Sequence, residues 1–370
     1  MRRPFDRRDE LGIEFAWNEL TGAIGDSVTV VPIVVTVAVL TDLSLAVMLV
    51  WFGVFQIVWG LYYGVPISIE PMKALAALVI AGSIATGELL LAGLLLGGGL
   101  LVLGGTGSLE RLGRYIGTPV VRAIQFGVAL VLLETALRLG AANLRLAGVA
   151  VAVALGFIAV GSQNLGAFAV LVFGSAVAVL QTGVPAPTVP PVPSGFVQFD
   201  SLSLTAGTVE AALGQFAMTV GNAALAASVL LGDYFDRDIS PDDLSISMGV
   251  MNLAAVPFGA LPMCHGSGGI AGKYAFGART AGANVILGVA YLTVALLAVG
   301  MVTAYPISVL GVILALVAAQ LGWTSLSEAS SRLFVVAIGA LGLVVNLAAA
   351  FLAGIVISLC IRRLRGGAIP

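Results

Sequence analysis

The chain has 370 residues, of which 59% are hydrophobic and 10% charged, with a net charge of -2 and a mean hydropathy of +1.08. Soluble domains run near a quarter charged and nucleic-acid binders are basic, so a soluble globular protein, a disordered one and a nucleic-acid partner are all excluded. A membrane-crossing helix uses about 20 apolar residues, so fourteen take up roughly 280 and leave short loops and no room for a soluble domain.

From the start, Arg2, Arg3, Arg7 and Arg8 lead into a segment broken by Glu14, Asn18, Glu19 and Asp26. A cleavable signal peptide would need an uninterrupted apolar run there, so none is expected. Apolar runs between turn signals then predict spans near 13 to 40, 43 to 64, 67 to 84, 88 to 105, 117 to 138, 144 to 160 and 165 to 181. A stretch rich in proline and lacking Lys and Arg, 182–205, reads as an extended linker. Further spans are expected near 206 to 232, 244 to 260, 262 to 278, 283 to 303, 305 to 321, 332 to 345 and 347 to 361.

The expected architecture is therefore an all-α polytopic membrane protein with 14 transmembrane segments in a 7+7 inverted repeat. Its parts are 1–181, the linker 182–205 and 206–370. With both termini in the cytoplasm, Arg2, Arg3, Arg7, Arg8, Arg111, Arg114, Arg237, Arg279, Arg332, Arg362, Arg363 and Arg365 lie inside, against Arg138 and Arg145 outside. That asymmetry obeys the positive-inside rule and places the proline linker outside.

An odd number of crossings per half flips the second copy, the arrangement of secondary transporters, whose sites are built from interrupted helices at matching positions. Spans 3 and 10 are so interrupted, Gly64-Val-Pro-Ile-Ser-Ile-Glu-Pro-Met-Lys73 matching Phe258-Gly-Ala-Leu-Pro-Met-Cys-His-Gly-Ser-Gly-Gly-Ile-Ala-Gly-Lys273. Each opens a half-helix too short to cross the bilayer. Pro71 suits a helix's first turn, and Gly266, Gly268 and Gly269 let backbone amides approach a ligand. Two half-helix amino termini meeting at one point make an anion site.

The only lysines, Lys73 and Lys273, fall in these two half-helices, and an ionisable residue at membrane depth is a functional candidate. Pairing with a nearby carboxylate is the competing reading for both. Asp26 reads equally as a lysine's structural partner and as a ligand or proton site. Glu70 opposes a bound anion unless protonated, which makes it a proton-coupling candidate, and an (i, i+3) pair with Lys73 is the alternative. Gln215 and Asn222, two helical turns apart, share a face, to donate to an oxyanion or to bridge helices.

His265 is the only histidine and reads first as a packed, hydrogen-bonded residue, Cys264 as a small buried side chain. Cys264 and Cys360 give no metal or redox spacing, so neither metal nor cofactor is expected. Residues 266–273 fail the phosphate-loop pattern at Ser267 and Tyr274. The glycines at 97 to 99 suit close helix packing, and no nucleophile-base pair points to an enzyme.

Asn18-Glu-Leu-Thr-Gly-Ala-Ile-Gly-Asp26, Ile69-Glu-Pro-Met-Lys73, Met251-Asn-Leu253 and the long run from Phe258 to Arg279 resemble the molybdate transporter family, related to the SulP sulfate permeases. The resemblance implies core and gate domains, oxyanion uptake, and a site between the third and tenth helices drawn from Asp26, Glu70, Pro71, Met72, Lys73, Gln215, Asn222, Cys264, His265, Gly266, Ser267, Gly268 and Lys273. The family pattern carries Gln in place of Glu70, and Gln then Arg in place of Lys273 and Ala275. The expected substrate is molybdate, with sulfate second; a proton or sodium is the coupling ion, the plasma membrane the location, and a homodimer an open assembly. An anion channel is the rival class.

Overall fold

A computed structural model describes residues 13–161, 166–183, 202–297 and 305–364, and the described residues are mostly helical, at 81%. In the first half, α1 (Trp17–Leu40) and α2 (Leu45–Tyr63) precede an extended segment and the short helix α3 (Lys73–Ile80). Then come α4 (Thr86–Gly105), the amphipathic α5 (Leu109–Ile116), α6 (Thr118–Gly140), α7 (Leu144–Ala159) and α8 (Gly166–Thr182). In the second half, α9 (Ala206–Met218) runs through a π-helical stretch, Thr219–Ala226, into α10 (Ala227–Phe235). There follow α11 (Pro241–Ala255), a second extended segment, the short α12 (Ser267–Ala275), α13 (Gly282–Leu297), α14 (Ile307–Ser327), α15 (Arg332–Val344) and α16 (Leu347–Leu364).

The expected apolar runs correspond to helices, with three additions. Helix α5 and the 3₁₀ turn Ala141–Asn143 are short elements within loops, and the two interrupted spans contain β structure. Most of the proline linker, the end of the 283 to 303 run and the terminal arginines Arg2, Arg3, Arg7, Arg8 and Arg365 lie outside the described residues. Among those described, five helical stretches are long and apolar enough to cross a membrane, including Leu45–Tyr63, Thr86–Gly105 and Ile307–Ser327.

Local chemistry sets the ends. Ser44 accepts from the Val47 amide to start α2, and Gly64, at φ 70°, ends it in a left-handed conformation that costs a glycine little. Ser240 and Asp243 form a reciprocal capping box at α11, with Pro241 at the first helical position.

Packing pairs each half with the other. Helix α2 lies along α13, α4 along α11, α6 along α14, α1 against α12, and α3 against α9. Two glycine contacts let backbones approach. A Cβ at Gly53 would stand 2.8 Å from Gly288 O, and one at Gly249 would stand 2.8 Å from Gly97 O. Small residues at such crossings are how membrane helices gain close contact. Of the glycines at 97 to 99, Gly97 does this, while Gly98 and Gly99 face open space.

At the centre, Glu70–Pro71 (β1) and Met263–Cys264 (β2) pair antiparallel, with Glu70 opposite Cys264 and Pro71 opposite Met263. The Met72 amide continues the ladder by donating to Pro262 O at 2.8 Å. Extended backbone this deep requires such internal partners. Asn252 closes the other edge of β2, accepting from the Met263 amide at 2.8 Å and donating to Met263 O at 2.7 Å.

Candidate anion site between two half-helices

From this strand pair the chain departs into the two half-helices, α3 beginning at Lys73 and α12 at Ser267. Pro71 lies in β1 and not in the first turn of α3, because the helix starts two residues later. Its preference for extended backbone at the preceding residue holds Glu70 in the strand. Met72 is the N-cap residue of α3 and is fully buried.

The two lysines hold unequal positions. Lys73 is the first residue of α3, whereas Lys273 lies in the last turn of α12. Lys273 is completely buried and its ammonium donates to Ile67 O at 2.5 Å, Gln56 Oε1 at 2.9 Å and Asn284 Oδ1 at 3.1 Å. It also pairs with Asp26 Oδ2 at 3.1 Å. Three N–H donors facing four acceptors leave it no spare donor for a ligand in this arrangement.

Asp26 is equally enclosed. Its Oδ1 accepts from Ser68 Oγ at 2.6 Å and its Oδ2 from Gln56 Nε2 at 2.9 Å. A buried ion pair is retained only when its remaining donors and acceptors are also satisfied, and the amides of Gln56 and Asn284 do this here. Asn284 Nδ2 donates to Gln56 Oε1 and Ile67 O, both at 2.7 Å. The network ties α1, α2, α12 and α13 to the extended segment.

Glu70 pairs with Lys73 through Oε2 at 2.7 Å, the (i, i+3) contact. Its side chain is 1% exposed against 14% for Lys73, so Lys73 is the charged group of this cluster with access to its surroundings. Glu70 Oε1 is buried without a hydrogen-bond partner. A side chain at Gly266 would overlap the Glu70 carboxylate, and one at Gly269 would overlap Ser68 Oγ, Asp26 Oδ1 and Glu70 Oε1. Only glycine admits those oxygens against the first turn of α12. Gly268 faces open space instead.

Gln215 and Asn222 separate. Asn222 lies within the π-helical stretch Thr219–Ala226 and Gln215 in the α-helix before it, and Gln215 meets α3 while Asn222 meets α12. Gln215 Oε1 accepts from the amides of Ala74 at 2.9 Å and Leu75 at 3.4 Å, capping α3. Asn222 Oδ1 accepts from the Ser267 hydroxyl at the start of α12. His265 is fixed between Ser68 O at 3.0 Å and Ser247 Oγ at 2.7 Å, a packed histidine. Cys264 is buried in β2 without a disulfide. Among the described residues no group of three His, Cys, Asp or Glu side chains could hold a metal.

Sequence reasoning missed Gln56, Ser68 and Asn284. Gln56 and Asn284 stand out only as uncharged polar residues inside apolar runs. Glu19 also has a defined role, its carboxylate accepting from the amides of Arg279 at 2.9 Å, Thr280 at 3.1 Å and Ala283 at 3.2 Å, where α13 begins.

Two cavities lie at opposite ends of α6. One, of about 430 Å³, touches Thr118, Arg122 and Asn222. The other, of about 310 Å³, touches Leu78, Thr135, Arg138, Glu210 and Leu347. Arg122 is ion-paired with Glu328 at the end of α14, and Arg138 with Glu134.

A family profile described as "Molybdate transporter of MFS superfamily" matches residues 18–132 and 207–321, one block in each half. Molybdate transporter 2 of Arabidopsis thaliana is 30% identical, over 83% of this chain and 78% of its own. Among solved structures, the transmembrane domain of the cyanobacterial bicarbonate transporter BicA superposes with a TM-score of 0.65 at 18% identity, covering 90% of this chain and 96% of that one. The inward-facing murine Solute Carrier 26 member A9 superposes at 0.68 and 12% identity, over 95% and 69%. The fold is thus that of the SulP/SLC26 transmembrane domains, and this multi-pass membrane protein belongs to the molybdate transporter family.

Proposed function

We propose that the protein imports a tetrahedral oxyanion, molybdate before sulfate, by alternating access at the meeting of α3 and α12. The observation that carries this reading is the antiparallel β1–β2 pair, from which both half-helices start, with the partly exposed Lys73 at the start of one. Each helix start contributes roughly +0.5 of an elementary charge, and Lys73 adds a whole one, so an anion is the ligand favoured there. The relatives named for molybdate transport support the substrate class.

The exchange of packing partners supports the 7+7 inverted repeat. Helix α2 on α13 is matched by α11 on α4, α1 on α12 by α9 on α3, and α7 on α8 by α15 on α16. The two profile blocks support the same division, with 1–181 and 206–370 as the repeats. Cavities at opposite ends of α6 fit alternating access to a site between them, and the arginine asymmetry fits cytoplasmic termini in a plasma membrane. Asp26 and Glu70 are the buried carboxylates available to couple uptake to protons, with sodium the competing ion.

The test is uptake into vesicles containing the purified protein, with molybdate and sulfate in competition, with and without a pH or sodium gradient. Saturable uptake, counterflow and inhibition of molybdate by sulfate are expected. Non-saturating conductance would replace the carrier with a channel, and dependence on sodium alone would exclude the proton.

A further inference from the structure

The two carboxylates differ in what remains open on them. Asp26 carries Ser68 on Oδ1, and Gln56 and Lys273 on Oδ2. Glu70 carries Lys73 on Oε2, while Oε1 is sealed from solvent and accepts from nothing. That bare oxygen, Asp26 Oδ1 and Ser68 Oγ each lie within 2.6 Å of the position a Gly269 Cβ would take. The other groups facing Glu70 leave it no further counter-charge. Cys264 opposes it across the strand pair as a thiol, His265 is bound to Ser68 O and Ser247, and Lys273 is spent on Asp26 and three further oxygens.

We propose that Glu70 Oε1 is the atom that takes the coupling proton, and that its protonation hands Lys73 from Glu70 to the incoming oxyanion. This rests on the transport reading above. A proton from solvent forms an O–H bond at Oε1, the carboxylate oxygen that accepts from nothing in the unprotonated state. The carboxylate that held Lys73 becomes neutral, so the ammonium's charge is released.

Charge counting gives the stoichiometry. Asp26, Glu70, Lys73 and Lys273 sum to zero, and one proton makes the cluster +1. With the two half-helix starts at roughly +0.5 each, the site then balances a dianion. A dianionic tetrahedral oxyanion entering with one proton is therefore the neutral combination. A monoanion needs no proton, so its binding is predicted to lack this coupling.

The experiment is calorimetric titration of the purified protein with molybdate, and separately with sulfate, in buffers of different ionisation enthalpy, which counts protons exchanged on binding. The wild type should take up about one proton per dianion. Glu70→Gln should still bind and take up none, so that the count of protons per molybdate falls from about one to zero. Wild-type proton uptake retained by Glu70→Gln, or no uptake by the wild type, overturns the assignment.

Should Glu70→Gln fail to fold, difference infrared spectroscopy on the wild type replaces it. A protonated-carboxyl band appearing with molybdate supports the proposal, and its absence overturns it. If the folded wild type binds neither oxyanion, the transport reading itself falls, a result distinct from binding without proton uptake.

Discussion

Gly268 and Gly269 are adjacent in the first turn of α12, yet an added methyl would meet opposite surroundings. At 268 nothing lies within 4 Å, whereas at 269 the methyl would overlap oxygens of Ser68, Asp26 and Glu70. Neither residue has a positive φ, so alanine is tolerated by the backbone at both. Gly268→Ala should be neutral or stabilising by about 0.4–1 kcal/mol, through lost freedom of the unfolded chain. Gly269→Ala gains the same term but must push three oxygens aside, and overpacking of this kind costs about 1–3 kcal/mol. The displaced atoms include both partners of the 2.6 Å Ser68–Asp26 hydrogen bond, and a hydrogen bond to a charged group contributes about 1.5–3 kcal/mol. The net expectation is destabilisation by about 1–3 kcal/mol. Where the strain is relieved by distorting the site, the same energy appears as oxyanion binding weakened about 5- to 150-fold. Melting temperature and calorimetric molybdate affinity of the two purified alanine variants are the measurements. Indistinguishable values for the two would refute the carboxylate packing around α12 from which the site is argued.

Lys73→Ala should insert normally and lose about tenfold or more in uptake, the equivalent of 1.4 kcal/mol of anion stabilisation; normal uptake at normal membrane abundance would remove Lys73 from the site. Lys273→Met should instead reduce the yield of folded protein, because it strands Asp26 at a cost of about 3–5 kcal/mol. The double variant Asp26→Asn with Lys273→Met should melt higher than Lys273→Met alone, and a double variant no more stable than the single one contradicts the ion-pair account. Glu19→Ala takes the acceptor from three amides at the start of α13 and should lower stability by about 2 kcal/mol or more, read as a fall in melting temperature.

Much of this was legible in the sequence because membrane depth makes charge conspicuous. Lys73, Lys273, Asp26 and Glu70 stand out against apolar runs, and proline and glycine mark both half-helices. The pairing of each lysine was legible only as an alternative. The two look equivalent in sequence, yet one begins a half-helix and the other ends one, and that difference assigns Lys273 to a closed network and leaves Lys73 partly exposed. Gln56, Ser68 and Asn284 were missed because an uncharged polar residue in a span has no spacing rule, and its importance comes from partners far away in the chain. The π-helical turn was invisible too. Thr219–Ala226 has the composition of an ordinary helix, and nothing in that composition marks the close approach of Gly221 to Val121, which a side chain at 221 would overlap.

The strand pair also bears on how the protein is made. His265 reaches Ser68 across 197 positions of chain, and the Met72 amide finds its acceptor only at Pro262. When the first half emerges from the ribosome, the backbone groups before α3 that pair with residues 262–264 have no partner, a condition the lipid interior does not tolerate. That segment must therefore stay shielded by water or by the insertion machinery until α11 and β2 arrive. The anion site then assembles only after the chain has reached the second half, and it belongs to neither half. Halves expressed separately should each be rapidly degraded, while co-expressed halves should protect one another and restore uptake together.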